Sequence, residues 1–347
     1  MTTDLIKQAL SQVRYPGFSR DIISFGLVKD IQHSPELTRV LIEIQTNDAS
    51  VPEAIFKDCH AALAELPDLG EIKVDIEIKD APSQATPAAD SSGKSSIPGI
   101  KHIIAVGSGK GGVGKSTVAA NLAVALSKSG ASVGLCDCDL YGPSVAMMFG
   151  SNERPMANER DEIIPVEVNG IKLMSMGFLL EDRSPVIVRG PMATRYTQQF
   201  LRQVEWGELD YLILDLPPGT GDIQLTIVQT VALDGAIIVT TPQEVALIDA
   251  RKAVSMFAKV NVPILGLIEN MAWFECDHGI RYPIFGEGGG KREAAQLNVP
   301  LLAQIPLELP VGVGGDQGIP VTEQSPDSAA AQAMIQAAQQ ISAKVQS

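Results

Sequence analysis

The sequence predicts an α/β protein in which a mostly parallel sheet is covered by helices on both faces and is preceded by a small α+β domain. Six short apolar runs recur between residues 103 and 305, with helical segments between most of them. Residues 80–98 are rich in Ser, Ala and Pro, which is typical of a flexible linker. The predicted domains are therefore residues 1–79 and 99–347, joined by this linker.

The N-terminal domain is predicted to run helix, strand, strand, helix, strand. Apolar residues recur at helical spacing from Leu5 to Val13, and strands are expected at Ile22–Ile31 and Arg39–Thr46. Pro52 is expected to open a second helix that runs to about Leu66, and apolar residues then alternate with charged ones from Val74 to Ile78.

The larger domain is predicted from runs that are apolar on both faces, as buried parallel strands are. The predicted strands are Ile103–Gly107, Ser132–Cys136, Tyr211–Leu214, Ala236–Thr240, Ile264–Ile268 and Leu301–Ile305. The Ala- and Gln-rich stretch from Ser325 to Val345 is predicted to be a closing helix.

Composition excludes several classes of function. Acidic residues outnumber basic ones, 41 to 27, and the net charge of −14 argues against a broad nucleic-acid-binding surface. No uninterrupted apolar stretch is long enough for a membrane span, and the first residues do not resemble a signal peptide. Four cysteines are too few for a disulfide framework, so we expect reduced thiols in a cytoplasmic protein.

The strongest motif is the segment from Gly109 to Ser116, G-K-G-G-V-G-K-S, which follows a predicted strand and opens a predicted helix. It matches a phosphate-binding P-loop at every fixed position. Glycines let backbone N–H groups converge on phosphates, and the helix N-terminus favours negative charge. We expect Lys115 to contact the β and γ phosphates, Ser116 to bind Mg²⁺ and Thr117 to reach the α phosphate.

Acidic and amide side chains follow other strands of the same sheet. Asp215 ends an apolar strand, as a Walker B carboxylate does, and is expected to hold Mg²⁺ in its second shell. The Pro- and Gly-rich turn that follows contains Gly219, whose N–H is suited to sensing the γ phosphate. Asn270 follows a later strand and is the candidate reader of the N6 and N7 edge of adenine, which favours ATP over GTP.

Lys110 is not required by an ordinary P-loop. The form G-K-G-G-x-G-K-S resembles the deviant Walker A class, which includes partition, septum-positioning, tail-anchor-targeting and nitrogenase-reductase ATPases. That resemblance implies a nucleotide-sandwich homodimer in which Lys110 reaches the nucleotide of the other subunit. It also implies that Asp139, the second acid of Asp137-Cys-Asp139, orients the attacking water.

Four segments together resemble the Mrp/ApbC family of iron–sulfur cluster carrier ATPases, over about residues 100–324. They are residues 110–116, the segment D-C-D-L-Y-G-P-S at 137–144, R-G-P-M at 189–192 and D-L-P-P-G-T-G-D at 215–222. The resemblance implies a homodimer that opens and closes with slow ATP hydrolysis. It also implies that this dimer transfers [4Fe–4S] clusters to apo-proteins and that its partners include other assembly factors. The N-terminal domain is similar to the small domain that precedes the ATPase in many members.

One departure concerns the expected cluster site. Most members carry C-x-x-C after the Glu-Asn-Met segment, whereas here only Cys276 remains, with His278 two residues later. The segment resembles the plastid and cyanobacterial branch that lacks the pair. Cys276 is thus either a cluster ligand, paired with its copy across a dimer, or an inert thiol.

The sequence thus offers one set of candidate residues and two rival functions. The nucleotide-binding candidates are Gly109, Lys110, Gly111, Gly112, Val113, Gly114, Lys115, Ser116, Thr117, Asp215, Gly219 and Asn270. The catalytic candidates are Lys110, Lys115 and Asp139. The candidate metal ligands are Ser116 and Asp215 for Mg²⁺ and Cys276 for an iron–sulfur cluster. The first rival is a ParA/MinD-like positioning ATPase, but the tail lacks the basic amphipathic helix of membrane-bound versions. The second is a metal-free nucleotide switch that acts through the small domain.

Overall fold

The computed structural model describes residues 3–13, 21–23, 26–34, 36–45, 50–64, 66, 69–79, 96–178 and 201–346. The chain divides into two compact units, Met1–Thr86 and Pro87–Ser347. Most of the predicted linker, residues 80–95, lies outside the described residues, as does the R-G-P-M segment at 189–192.

The smaller unit has the predicted order of elements. They are α1 (Thr3–Leu10), β1 (Val28–His33), β2 (Leu37–Gln45), α2 (Ser50–Ala64) and β3 (Glu71–Lys79). β1 pairs antiparallel with β2, and β2 pairs parallel with β3. Their apolar side chains form one core with those of the two helices.

The first strand of this unit starts later than the prediction of Ile22. Ile22 is buried, but its N–H donates to the carbonyl of Val13 and its carbonyl accepts from the N–H of Leu27. Gly26 has a φ of +67°, which turns the chain before β1 begins. The apolar character of Ile22 therefore reflects burial in a turn rather than a strand.

The larger unit is built on an eight-stranded sheet. Its strands and the short hairpins beside it are β4 (Ile100–Gly107), β5 (Val133–Asp137), β6 (Met156–Ala157), β7 (Ile163–Ile164), β8 (Val166–Val168), β9 (Ile171–Ser175), β10 (Leu209–Asp215), β11 (Gly235–Thr240), β12 (Ile264–Glu269), β13 (Phe274–Glu275), β14 (Arg281–Tyr282) and β15 (Leu301–Gln304). The order across the sheet is β15-β12-β11-β4-β10-β5-β9-β8. All neighbours are parallel except β8 and β9, which are antiparallel.

Helices cover both faces of this sheet. They are α3 (Lys115–Lys128), α4 (Val145–Met148), α5 (Asp222–Thr230), α6 (Glu244–Lys259), α7 (Gly289–Gln296), α8 (Leu309–Gln317), α9 (Val321–Gln324) and α10 (Ala329–Val345). In β4, Ile104 and Val106 pack into the cluster formed with α3 and α10, while Ile103 and Ala105 pack into the cluster formed with α5 and α6. This alternation buries each central strand on both sides, as the apolar runs predict.

The central position of β4 determines where ligands can bind. β4 lies between β10 and β11, and the chain passes from β4 through α3 to β5 on the far side of β10. In such sheets, ligands bind beyond the carboxyl ends of the strands, where the strand order reverses. The loops after β4, β5, β10 and β12 meet at this edge.

Candidate functional site

The loop after β4 presents a row of unused backbone donors. Within the described residues, no backbone N–H from Lys110 to Thr117 donates to another group, whereas Val118 N–H bonds to the carbonyl of Gly114. Gly112 and Gly114 both have a φ of +80°, a conformation that a side chain disfavours. Free N–H groups that converge at a helix N-terminus form an anion-binding nest, which a phosphate chain fits.

Two glycines of this loop are required by tight packing. A Cβ on Gly109 would lie 2.0 Å from the carbonyl oxygen of Asp249 in α6, and a Cβ on Gly114 would lie 2.2 Å from Nδ2 of Asn270. A Cβ on Gly111 would instead have its nearest neighbour 4.0 Å away, in Pro218. The loop is thus in close contact with α6 at its first glycine and with Asn270 at its last glycine.

Lys115 and Asp215 form a buried ion pair beneath the loop. Lys115 Nζ lies 2.5 Å from Asp215 Oδ1 and 3.1 Å from Ser116 Oγ. The side chain of Lys115 is 7% exposed and that of Asp215 is fully buried. Burial raises the pKa of Asp215, and the charge of Lys115 acts in the opposite direction.

The second oxygen of Asp215 indicates how a cation would fit. Asp215 Oδ2 is buried and has no hydrogen-bond partner among the described residues. An unpaired buried carboxylate oxygen beside the Ser116 hydroxyl is the oxygen-rich environment that Mg²⁺ prefers. The residues present therefore fit magnesium, and the roles of Ser116 and Asp215 in holding it stay predictions.

A cavity of about 230 Å³ joins the P-loop to the loops after β5 and β10. Its lining residues are Ser108, Lys110, Gly111, Gly112, Gly114, Lys115, Ser116, Thr117, Asp139, Ser144, Met148 and Pro218. Eight of the residues predicted from sequence thus surround one space, while Gly109, Val113, Asp215, Gly219 and Asn270 lie outside its lining. Asp215 is nevertheless connected to the cavity through Lys115.

Asp139 lies at the cavity on a loop that another acid holds in place. Asp139 Oδ1 accepts the N–H groups of Tyr141 and Gly142, both at 3.2 Å. The fully buried Asp137 accepts the N–H of Asp139 at 3.0 Å. Asp137 also accepts the N–H groups of Ser144 and Val145 and the hydroxyl of Ser175, all three on Oδ2.

Sequence reasoning gave Asp137 no role, although its signal was the same as that of Asp215, an acid at the end of a buried strand. The two acids are paired in register on adjacent strands. Burial and the charge of Asp215 raise the pKa of Asp137 from 3.8 to about 6, against the lowering effect of the N–H donors. Asp137 thus anchors the loop that carries Asp139 through its hydrogen bonds to Asp139, Ser144 and Val145.

The loop after β10 is fastened to the start of the P-loop. Leu216 N–H donates to the carbonyl of Val106, and Gly219 N–H donates to the carbonyl of Ser108. Gly219 has a φ of +92°. The predicted γ-phosphate sensor is therefore hydrogen-bonded to the backbone next to the nest, and its role stays a prediction.

Asn270 contacts the P-loop from the end of β12. Its Nδ2 donates to the carbonyl of Val113 at 2.9 Å, and the residue is 7% exposed. One amide hydrogen and the amide oxygen remain for an adenine edge, so base reading by Asn270 stays a prediction. Lys110 is half-buried at the cavity and has no ion-pair partner among the described residues.

Cys276 lies at the tip of the hairpin formed by β13 and β14. Its N–H donates to the carbonyl of Ile280, and its carbonyl accepts the N–H of Gly279. The N–H of His278, followed by that of Ile280, lowers the pKa of the partly exposed Cys276 thiol. Where the structure describes the chain, no cluster of three or more His, Cys, Asp or Glu side chains could hold a metal ion.

The other three cysteines are buried, and the glycine run at residues 288–290 lies at the start of a helix. Cys136 and Cys138 are buried in the core with their sulfurs 3.9 Å apart, and Cys59 is buried in the smaller unit. Gly288, with a φ of +62°, precedes the first residue of α7, so the glycine run caps a helix. None of the described helices has the length and apolarity to cross a membrane.

Two family models match the chain. Residues 99–342 match a family described as NUBPL iron-transfer P-loop NTPase, and residues 3–76 match one described as iron-sulfur cluster assembly protein. An iron-sulfur cluster carrier protein of Synechocystis is 42% identical, and the alignment covers 99% of this chain and 98% of the relative. One of Deinococcus radiodurans is 45% identical, covering 95% and 92%.

Solved structures give the same result for the larger unit. A nucleotide-binding protein from Archaeoglobus fulgidus in complex with ADP is 41% identical, with a TM-score of 0.59, over 66% of this chain and 90% of that one. The septum site-determining protein MinD from Pyrococcus horikoshii, complexed with Mg-ADP, is 27% identical with a TM-score of 0.55, over 70% and 96%. The predicted α/β P-loop fold and family are therefore confirmed, and the chain belongs to the iron-transfer P-loop NTPase family.

Proposed function

We propose that this protein is an ATP-dependent carrier that binds iron–sulfur clusters and transfers them to apo-proteins. The observation that carries the proposal is the row of backbone N–H groups from Lys110 to Thr117, which have no partner among the described residues and lie at a cavity beside Lys115. Relatives that align with nearly the whole chain are named iron-sulfur cluster carrier proteins. The proposed organisation is an assembly-factor domain at residues 1–79, a linker at 80–98 and the ATPase domain at 99–347.

ATP binding is assigned to the nest and its neighbours. The N–H groups hold the phosphate chain, Thr117 contacts the α phosphate and Asn270 reads the adenine edge. Lys115 exchanges its contact with Asp215 for the β and γ phosphates, and Ser116 and Asp215 hold Mg²⁺ directly and through water. Magnesium, when bound, supplies positive charge that offsets the charge developing on the phosphate oxygens.

Hydrolysis is assigned to Asp139 and Lys110. Asp139 faces the cavity from a loop anchored by Asp137, which suits it to orient a water toward the γ phosphate. Lys110 lies at the cavity rim and is proposed to reach the nucleotide of a second copy in a homodimer. Gly219 N–H is proposed to sense the γ phosphate, so that hydrolysis reopens the dimer.

The cargo is proposed to bind between two copies of Cys276. One thiol per chain is too few for a cluster, since the described residues offer no group of three ligands. A two-fold axis would bring two thiols together, and the lowered pKa of Cys276 favours the thiolate that iron requires. The remaining cluster sites would be filled by a small thiol or by the client, and [4Fe–4S] is the proposed form.

Nucleotide binding tests the core of the proposal. Calorimetry with ADP and ATP in the presence of Mg²⁺ should give saturable binding, and phosphate release should give slow turnover. A Lys110→Ala variant should bind ADP as the wild type does and lose hydrolysis. Absence of adenine-nucleotide binding would refute the function, and normal hydrolysis by Lys110→Ala would refute only the trans role of that lysine.

Cluster binding needs its own experiment. After anaerobic reconstitution with iron and sulfide, the wild type should show cluster absorbance and about four iron atoms per dimer, and Cys276→Ser should lose both. Cys59→Ser is the matched control, because Cys59 is buried in the smaller unit. A colourless, iron-free wild type that hydrolyses ATP would favour the metal-free switch instead.

The positioning ATPase is the weaker candidate. α10 packs Ala330, Ala331, Met334, Ala337 and Ile341 into the core, so its apolar face is not available to a membrane surface. Co-sedimentation with anionic liposomes and with DNA in the presence of ATP should give no binding, and binding would favour this candidate.

A further inference from the structure

Gln224 carries an unexplained polar group in the core of the larger unit. Its side chain is 1% exposed, and neither the amide oxygen nor the amide nitrogen has a hydrogen-bond partner in the part of the chain that the structure describes. A buried amide without partners is costly, whereas an apolar side chain of the same shape carries no such cost. An orphan of this kind in a native core requires a reason.

The location of Gln224 relates it to the nucleotide site. It lies in the first turn of α5, three residues after Gly221, the last residue of the loop that contains Gly219. A Cβ placed on Gly107 would lie 3.2 Å from its Nε2 and also 3.2 Å from the Phe257 ring. The amide is therefore held against the last residue of β4, directly before the P-loop.

The neighbourhood explains why the amide is unpaired in this arrangement. Phe257 packs at the same point of Gly107 as the amide, and Ile227 and Val228 of the same helix belong to the buried apolar cluster that contains Phe257. The adjacent backbone is already in use, because the carbonyls of Val106 and Ser108 accept N–H groups of the loop after β10. A shift of that loop relative to β4 would change which backbone groups lie near the amide.

We propose that Gln224 is a positioning residue for the loop at 216–221. In the arrangement described, the amide lacks hydrogen-bond partners and therefore destabilises this position of the loop. When the loop closes on a triphosphate, the amide gains backbone partners there, so that part of the binding energy holds Gly219 in place for hydrolysis. This inference rests on the proposed ATPase function and adds to it a residue that favours the closed loop.

The test uses an apolar replacement of similar shape in the full-length protein. Gln224→Met should raise the unfolding temperature without nucleotide by about 2–4 °C, because the unpaired amide is removed. It should lower kcat for ATP hydrolysis about tenfold, while the affinity for ADP stays within about twofold of the wild type. Gln229→Met is the matched control, since Gln229 is exposed on the same helix and should change neither value.

A lower unfolding temperature for Gln224→Met would mean that the amide is already satisfied, for example by a buried water, and would overturn the inference. A higher temperature with unchanged kcat would also overturn it, because the amide would then be a stability defect without a role. Gln224→Leu provides a second apolar variant with the same expected pattern. If wild-type protein neither binds nor hydrolyses ATP, the proposed function itself fails, which is a different result.

Discussion

Replacing Asp137 by Asn should separate the stability of the protein from its hydrolytic activity. The substitution keeps the size of the side chain and removes a buried negative charge. Burial and Asp215 raise the pKa of Asp137 from 3.8 to about 6, a shift that corresponds to about 3 kcal/mol at neutral pH. The charged form is thus destabilising in the folded protein, and the neutral amide removes that cost.

Lost hydrogen bonds offset part of this gain. The amide oxygen can replace Oδ2, which accepts from Ser144, Val145 and Ser175, but the NH₂ group then faces the N–H of Asp139. Two donors facing each other cost about 1–3 kcal/mol. The net expectation is between no change and a gain of about 2 kcal/mol, or up to about 6 °C in unfolding temperature.

The effect on hydrolysis has the opposite direction. In this variant the N–H of Asp139 loses its hydrogen bond to Oδ1 of residue 137, so the loop that carries Asp139 is held less firmly. We therefore expect kcat for Mg-ATP to fall at least about tenfold while the affinity for ADP changes little. The pair of measurements is thermal unfolding without nucleotide or Mg²⁺ at pH 7.5, and phosphate release at saturating ATP. Asp210→Asn is the control, because Asp210 bonds to Lys101 and Ser132 at the opposite edge of the sheet.

The same reasoning fixes a pH dependence. Asp137 ionises near 3.8 in the unfolded chain and near 6 in the folded one, so the folded form binds its proton more tightly. Its contribution to stability is fully present below pH 3.8 and is lost as pH rises through about 6, and Asp137→Asn should flatten this part of the curve. A drop of more than about 5 °C in Asp137→Asn at pH 7.5 would refute the energetic argument, and a wild-type kcat would refute the anchoring role.

Two further predictions concern the P-loop. Lys115→Met should abolish ADP binding measured by calorimetry. It should also lower the free energy of unfolding in urea by about 3 kcal/mol, because Asp215 is left buried and unpaired. Adding Asp215→Asn should restore stability but not binding, and a Lys115→Met variant as stable as the wild type would contradict the ion-pair argument. Gly109→Ala should lower the free energy of unfolding by about 2–4 kcal/mol, because its Cβ would meet the backbone of Asp249. Gly111→Ala should lower it by less than about 1 kcal/mol. Equal losses for the two variants would show that this packing is not responsible.

The central sheet was predictable because its signal is local. Ile103, Ile104, Ala105 and Val106 are all apolar since β4 has a helix on each face, and the same holds for β10. The P-loop was predictable because its glycines and Lys115 act through spacing alone. The strands β8 and β9 were missed: β8 has only three residues, and its antiparallel pairing at the sheet edge depends on a partner rather than on its own pattern.

The parts of the site that could not be predicted depend on contacts between distant residues. The sequence identifies Gly109 as a motif position, but the approach of Asp249 that excludes a side chain there comes from α6. Asn270 was selected as a base reader, and its bond to Val113 joins residues 157 positions apart. The orphan amide of Gln224 has no sequence signal, because an interior Gln in a helix is ordinarily satisfied or exposed.

The link through Asn270 determines how the two proposed sites can communicate. Its amide bonds to the Val113 carbonyl, and a Cβ on Gly114 would collide with it, so the P-loop backbone and the end of β12 are in steric and hydrogen-bonded contact. Met271 follows with a φ of +55°, a conformation that an ordinary side chain disfavours, and Cys276 lies six residues after Asn270. We expect a displacement of the P-loop on phosphate binding to move Asn270, which precedes the hairpin that carries the thiol. We expect coupling between the two proposed sites to follow this short segment, because the Asn270 side chain bonds to the P-loop and stands six residues before Cys276.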